Sequence, residues 1–305
     1  METILVIGGT GTLGEPVARQ LRDDGYDVRL LVRDVARAQK QLGADFHYYQ
    51  GDVDDTGALE QALDECNGVH ISLKTSRPGD AERVEHQGTA RVAAVAARLG
   101  VGRLTFVSGY LVGTGVQATV SDEAKLRAEQ AIVASGVPFT IFKPTYFMET
   151  LPRHVQGRVA IVLGRQPHPF HMTAVQDFAR MVSRAFRTPA SANRSLYVQG
   201  PQAHRIADAL RIYCETVLPG TRVISVPLPV MSVIDRLFMH KALENAIELM
   251  RVMQQVGEVG DPSEANRLLG APTTTLRAWC EQQSVLAVDP DLIVKTTARK
   301  GSASL

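Results

Sequence analysis

The sequence predicts an α/β protein: a doubly wound parallel sheet with a smaller, interleaved C-terminal lobe. Three observations lead there. Short apolar runs alternate with helical patterns through the first half, which is how crossover units build a parallel sheet. A glycine-rich turn follows the first of these runs. Beyond Pro144 the alternation loosens, and prolines at 152, 167, 169, 189, 201, 219, 227 and 229 divide the chain into short pieces.

Six strands are expected in the first half, at Ile4–Ile7, Val28–Val32, Phe46–Tyr49, Val69–Ser72, Leu104–Ser108 and Phe139–Phe142. The segments between them carry Ala, Leu, Arg and Glu at helical spacing. Past Pro144, Ser195–Val198 reads as one more strand, and Asp177 is placed to cap a helix from Phe178 to Phe186. The expected division is a dinucleotide-binding domain over 1–145 with its sheet completed by 171–200, a substrate lobe from 146–170 and 201–288, and a tail over 289–305. A single amphipathic helix is expected from Val233 to Val256, with Met239, Met250 and Met253 on or near its apolar side, read as core packing or else as a pliable wall for an apolar substrate or a dimer contact.

Bulk properties narrow the function classes. With 33 Lys+Arg against 32 Asp+Glu, no charge excess exists to hold a polyanion, so no nucleic-acid partner is expected. Cys66, Cys214 and Cys280 are odd in number and far apart, which suggests neither a disulfide framework nor a zinc site. His168 and His171 flank a proline and a phenylalanine without a nearby carboxylate or thiol, and no metal is expected there either. No membrane-length apolar run or export signal is read at the N-terminus, so a cytoplasmic monomer or homodimer with a small-molecule substrate is expected.

The turn Gly8-Gly9-Thr10-Gly11-Thr12-Leu13-Gly14 joins a buried strand to the helical segment Glu15–Arg22 and fits the GxGxxG spelling. Glycine permits the sharp turn and lets the backbone approach a pyrophosphate, while the helix start offers free N–H groups and a positive dipole end. Thr10 and Thr12 add hydroxyls. This context predicts a Rossmann-type dinucleotide site on Gly8, Gly11 and Gly14. A Walker A loop is excluded, because no Lys-Ser/Thr follows. About twenty residues on, Arg33 stands where an NAD site would place an acid; its guanidinium, with Arg37 one turn further, suits a 2′-phosphate and predicts NADP(H) in preference to NAD(H). The alternative for Arg33 is a surface pair with Asp34. Asp52 is read either as an acceptor for the adenine amino group or as the cap of the helix after Asp54-Asp55.

Taken in order, several segments resemble the atypical short-chain dehydrogenase/reductase families, and the NmrA-like group with its isoflavone-reductase relatives in particular. They are the glycine turn, Val32-Arg33-Asp34, Gly51-Asp52, Phe106-Val107-Ser108, Lys125-Leu126-Arg127-Ala128-Glu129 and Pro144-Thr145-Tyr146-Phe147-Met148-Glu149. The resemblance implies that Arg33 meets the 2′-phosphate, Asp52 and Val53 the adenine, and Ser72 the nicotinamide ribose. It implies that Pro144, Tyr146 and Phe147 border the nicotinamide, that Ser108 occupies the active-site serine position, and that Lys125 binds ribose and supports proton transfer.

Two positions depart from that pattern. The general-acid tyrosine four residues before the lysine is replaced by Ser121, and the helical asparagine of Asn-x-x-Gly by Glu85. Carbonyl reduction needs a proton donor within reach of the developing alkoxide. Lys125, Tyr110 and Tyr146 are the candidates to replace the tyrosine; for Lys125 the alternative is an exposed helix lysine paired with Glu129 at i,i+4. The expected activity is hydride transfer between NADP(H) and a small, largely apolar ketone, enone, quinone or activated ether. A non-catalytic NADP(H) sensor is the second reading, and a nucleotide-sugar epimerase or dehydratase the third.

Overall fold

A computed structural model describes residues 1–75, 78–116, 119–238 and 243–287. The chain divides into two compact units, the first comprising Met1–Thr145, Val175–Gln199 and Glu258–Pro272.

In unit one, strands β1 (Thr3–Ile7), β2 (Asp27–Val32), β3 (His47–Gln50), β4 (Gly68–Ile71), β5 (Arg103–Val107), β6 (Phe139–Pro144) and β11 (Arg194–Val198) form one seven-stranded sheet. Its order is β11-β6-β5-β4-β1-β2-β3, and every pairing is parallel. Parallel strands need crossovers, and helices α1 (Gly14–Asp23), α2 (Val35–Leu42), α3 (Thr56–Leu63), α4 (Thr89–Arg98) and α5 (Val120–Ser135) supply them. This is the Rossmann-like α/β architecture expected from the sequence. Phe46, Ser72 and Ser108 fall one residue outside the strands assigned to them.

The strand order reverses at β1, whose neighbours are β4 and β2. At such a switch point the chain leaves adjacent strands in opposite directions and opens a crevice at their carboxyl ends. Gly8 leaves β1 there with φ +82°, and a Cβ on it would lie 2.3 Å from the Ser72 carbonyl oxygen beyond β4. Gly14 is held as tightly, since its Cβ would lie 2.2 Å from the Gly8 oxygen.

Three segments of unit one differ from the sequence reading. Helix α6 (Val175–Arg187) starts two residues before Asp177, which therefore lies buried in the first turn and pairs with Arg180 instead of capping. There its charge still complements the positive helix end. The segment 258–272, expected in the substrate lobe, belongs to unit one: α10 (Ser263–Leu269) packs beside the edge strand β11, with Glu264 3.6 Å from Arg194 and the Leu269 carbonyl accepting from Arg184. Of the stretch 171–200 expected to complete the large sheet, only β11 does so.

Unit two contains Tyr146–Ala174, Gly200–Gly257 and the chain from Thr273. Strand β10 (Phe170–Thr173) pairs here with β7 (Tyr146–Phe147) and β12 (Ala203–His204), because the chain leaving β6 offers β10 a parallel edge. A second small sheet joins β8 (Val155–Gln156), β9 (Val159–Leu163) and β13 (Arg222–Val226). Helices α7 (Ile206–Val217) and α11 (Leu276–Ala287) pack together, with the Tyr213 and Trp279 rings 5.9 Å apart.

The single helix expected over 233–256 is instead two, α8 (Leu228–Phe238) and α9 (Glu244–Gln255). Leu243 has left helical geometry, and its amide donates to the Asp235 carboxylate at 2.9 Å, a side-chain bond that periodicity does not reveal. Met250 and Met253 are buried as expected; Met239 and the 289–305 tail lie outside the described residues.

The switch-point packing has a measurable consequence. Gly8→Ala combines left-handed strain with overlap on a backbone carbonyl, and is expected to cost roughly 3 kcal/mol or more in urea unfolding. Gly25→Ala, also at positive φ but with nothing within 4 Å of its added Cβ, should cost about 1 kcal/mol. Equal losses would mean that the contact with Ser72 contributes nothing.

Candidate functional site

The glycine turn is the first part of the site. Gly11 donates its amide to the Gly8 carbonyl at 2.9 Å, and the first turn of α1 receives no side-chain cap from Leu13 at the N-cap position. The Glu15 amide donates to the Gly11 carbonyl at 3.0 Å and Pro16 carries no N–H, so what this helix start offers an anion is its positive dipole end beside the exposed turn. Thr10, Gly11 and Thr12 are exposed, and a Cβ at Gly11 would meet only the Gly8 oxygen, at 3.2 Å. The closely packed Gly8 and Gly14 shape the cradle and the exposed Gly11 leaves it open, which fits a pyrophosphate.

At the end of β2, Arg33 and Arg37 are both exposed. Asp34 does not serve as the surface partner considered for Arg33; its carboxylate caps α2 by accepting from the Arg37 amide at 2.9 Å. Asp52 likewise does not cap the next helix, a role taken by Asp55, which accepts from the Ala58 amide at 3.1 Å. The Asp52 carboxylate instead accepts from the Val53 amide at 2.7 Å. Val53 is buried, and its carbonyl accepts from Arg91. Ser72 donates its amide to the Ile7 carbonyl, which ties the chain beyond β4 to β1.

Lys125 projects from α5 to the end of β5. The helix is fixed at its start by a capping box in which the Thr119 hydroxyl accepts from the Asp122 amide and the Asp122 carboxylate accepts from the Thr119 amide. One turn on, Lys125 is only 7% exposed, its Nζ donates to the Val107 carbonyl at 2.7 Å, and the ammonium lies 5.4 Å from the centre of the Phe106 ring. Burial lowers its pKa from 10.5 to about 8, with Glu85 the largest charge acting in the opposite direction. The exposed lysine paired with Glu129 is thus excluded.

Glu129 has other partners. It accepts a short hydrogen bond from the Ser108 hydroxyl, and its second oxygen lies 3.2 Å from Lys143 Nζ. Lys143 also donates to the Val112 carbonyl at 2.8 Å. Sequence reasoning missed this buried Ser108–Glu129–Lys143 cluster. One signal was present: a lysine inside the apolar run Phe139–Phe142 and its following proline is costly to bury unless paired.

The two departures from the superfamily pattern also meet. The Ser121 hydroxyl donates to Glu85 at 2.7 Å and accepts from Lys74 at 2.8 Å. Of the tyrosines, Tyr110 is buried in unit one, and desolvation holds its phenol well above the usual range, so it stays protonated. Tyr146 and Phe147 form β7 in unit two, whereas Pro144 closes β6 in unit one. His154 Nδ1 lies 2.9 Å from the Ile161 carbonyl and must donate to it, which leaves Nε2 of the neutral ring to accept from the Tyr146 hydroxyl at 3.0 Å. Burial favours that neutral ring, so the Tyr146 proton is committed inward.

All three cysteines are free and buried, and desolvation raises the Cys66 thiol to about 11 and the Cys280 thiol to about 12. Such thiols are poor nucleophiles. Among the described residues no group of His, Cys, Asp and Glu is arranged to hold a metal, and no helix is long and apolar enough to cross a membrane.

The chain is similar to several known proteins. The chain is 27% identical to the photosystem II assembly factor Ycf39 of Trieres chinensis over 246 residues, covering 77% of this chain and 76% of that one. It is 27% identical to the NAD(P)H azoreductase of Xenophilus azovorans over 214 residues, covering 66% and 68%. In structure it is similar to the Citrobacter sp. triphenylmethane reductase complexed with NADP(H), with a TM-score of 0.73 at 16% identity over 92% of this chain and 99% of that one. A family described as NAD(P)H-binding matches residues 8–189. The chain belongs to this NAD(P)H-binding family.

Proposed function

We propose that the protein is an NADPH-dependent reductase of a small, largely apolar substrate, a ketone, enone, quinone or activated ether, with Lys125 as the proton donor. One observation carries this reading. Lys125 is a buried ammonium at the end of β5 whose pKa, about 8, lies near working pH. A donor works best when its proton is held at neutral pH yet given up readily, and burial gives Lys125 both properties.

When bound, the nicotinamide supplies the hydride. The remaining roles fall to the chain. Gly8, Gly11 and Gly14 shape the pyrophosphate cradle, and Arg33 and Arg37 bind the 2′-phosphate. The Val107 carbonyl orients the Lys125 ammonium and leaves its other two N–H groups for ribose or substrate oxygen. Ser108, whose proton goes to Glu129, offers lone pairs to a donor on the ligand and does not itself donate. Substrate selection is assigned to unit two.

A non-catalytic NADP(H) sensor is the second reading, favoured by Ser121 at the tyrosine position and by similarity to a photosystem II assembly factor. Both readings face one experiment. NADPH oxidation with a panel of ketones, enones, quinones and azo dyes is expected for the reductase; tight NADPH binding without turnover, together with a protein partner recovered by pull-down, would establish the sensor.

Lys125→Met provides a more specific test. Turnover should fall about 100-fold. Stability should change in the opposite direction. A lysine with pKa about 8 folded and 10.5 unfolded burdens the folded state by roughly 3 kcal/mol at pH 7. The lost hydrogen bond returns about 1 kcal/mol of that cost, so a net gain of about 1–2 kcal/mol is expected. Between pH 8 and 10.5 the unfolded chain binds more protons at position 125, so the stability advantage of the variant over the wild type should shrink through that window, the other titrating groups being common to both. Unchanged turnover would remove Lys125 from the mechanism.

Cofactor preference has its own measurement. Arg33→Ala should weaken NADPH binding about tenfold or more while leaving NADH within about twofold. Equal losses for both would show that the guanidinium does not read the 2′-phosphate.

A further inference from the structure

Glu85 is 1% exposed, yet it carries a carboxylate with a hydrogen-bond donor on each oxygen. It lies on a π-helical turn, Glu82–Gly88, that packs against α5. Its Oε1 accepts from the Thr75 amide at 3.0 Å and its Oε2 from the Ser121 hydroxyl at 2.7 Å. Lys74 Nζ lies 4.0 Å from Oε1 and donates to the Ser121 oxygen. An asparagine at position 85 would offer one acceptor oxygen for two donors. The carboxylate satisfies both, and only an acceptor at that place lets the Ser121 hydroxyl donate while its oxygen receives Lys74. The residues at 85 and 121 therefore fit each other.

We propose that Glu85 and Ser121 act as one unit in place of the absent tyrosine, with Glu85 the positioning residue that keeps Lys125 an ammonium and Ser121 the clamp that aims the Glu85 carboxylate. The kinetic part of this proposal rests on the reductase reading; the electrostatic part does not. The charged groups acting on Lys125 come from three elements: Glu85 from the π-helical turn, Lys74 from the chain after β4, and Asp122 and Glu129 from α5. Glu129 is already paired with Lys143, which leaves Glu85 the dominant favourable charge. Lys74 opposes it but is well exposed, so salt and water weaken its effect. In the proposed reaction the Lys125 ammonium would give one proton to the substrate oxygen, the bound nicotinamide would supply the hydride, and the neutral amine would regain a proton from solvent. Glu85 exchanges no proton in this scheme; its charge sets how readily Lys125 recovers one.

The test uses two substitutions with opposite signs. Lys125 Nζ is titrated by 15N NMR in the full-length protein without cofactor. Glu85→Gln should lower its midpoint by about one pH unit, and Lys74→Met, a surface change that should not affect folding, should raise it by a smaller amount. Where turnover is measurable, the basic limb of the kcat/KM profile should move with the midpoint in each variant. A midpoint unmoved in Glu85→Gln, or moved the same way in both variants, overturns the proposal. Should Glu85→Gln fail to fold, Ser121→Ala replaces it with a smaller downward shift expected, and no shift there overturns the proposal equally. Absence of turnover in the wild type would count against the reductase reading alone, since the NMR titration still decides the role of Glu85.

Discussion

The hydrogen bond from Lys125 Nζ to the Val107 carbonyl joins the interior of α5 to the last residue of β5, and the chemistry proposed for unit one depends on the burial that this bond accompanies. An ammonium removed from water costs several kcal/mol unless an opposite charge or strong acceptors compensate. Here compensation is partial: one backbone carbonyl at bonding distance, one aromatic face, and a carboxylate acting through space. Full neutralisation by a direct ion pair would return the lysine towards its usual pKa and remove the value as a donor that the proposed mechanism gives it. Incomplete compensation is therefore the feature that the neighbouring residues must preserve.

The Ser108–Glu129–Lys143 cluster preserves it from one side. Glu129 stands one helical turn from Lys125 and on an exposed helix would be its natural i,i+4 partner. Lys143, carried in by β6, takes that carboxylate at 3.2 Å and prevents the pairing. Ser108 adds a hydrogen bond to the same carboxylate, so Glu129 is satisfied without Lys125. A buried ion pair of this kind is weak evidence for stability; its structural effect here is to decide which lysine remains unpaired.

How far the sequence foretold these features depended on how local their causes are. The glycine turn was legible because sharp reversal and close backbone approach are demands that seven consecutive residues answer together. The seven strands of the large sheet were legible to within two residues because each is a contiguous β-rich run, whereas no ranges were foreseen for the short strands of unit two. Lys125 was located through its place in the resemblance, but its burial was not, since an i,i+4 glutamate argued for an exposed pair. Glu129 and Lys143 meet only because α5 and β6 are brought together by the sheet. The break between α8 and α9 was hidden for a similar reason: apolar spacing continues across it, while the bond from Leu243 to Asp235 is set by geometry. Asp177 looked like a cap because it precedes an apolar helical run, yet Val175 and Gln176 are helical as well, and an acid inside the first turn gains from the same dipole.

The two departures at Glu85 and Ser121 are the hardest to read one at a time. Ser121 alone looks like loss of the acid, and Glu85 alone looks like a charge placed where an amide belongs. A buried carboxylate without partners would be excluded by its desolvation cost, and a serine oxygen that receives an ammonium needs somewhere to send its own proton. Each requirement is met by the other residue, at 2.7 Å. A chain that had merely lost its tyrosine would have no physical reason to bury a carboxylate beside the vacated position, so the pair argues for a site rebuilt around Lys125 and weakens the reading of a site that decayed.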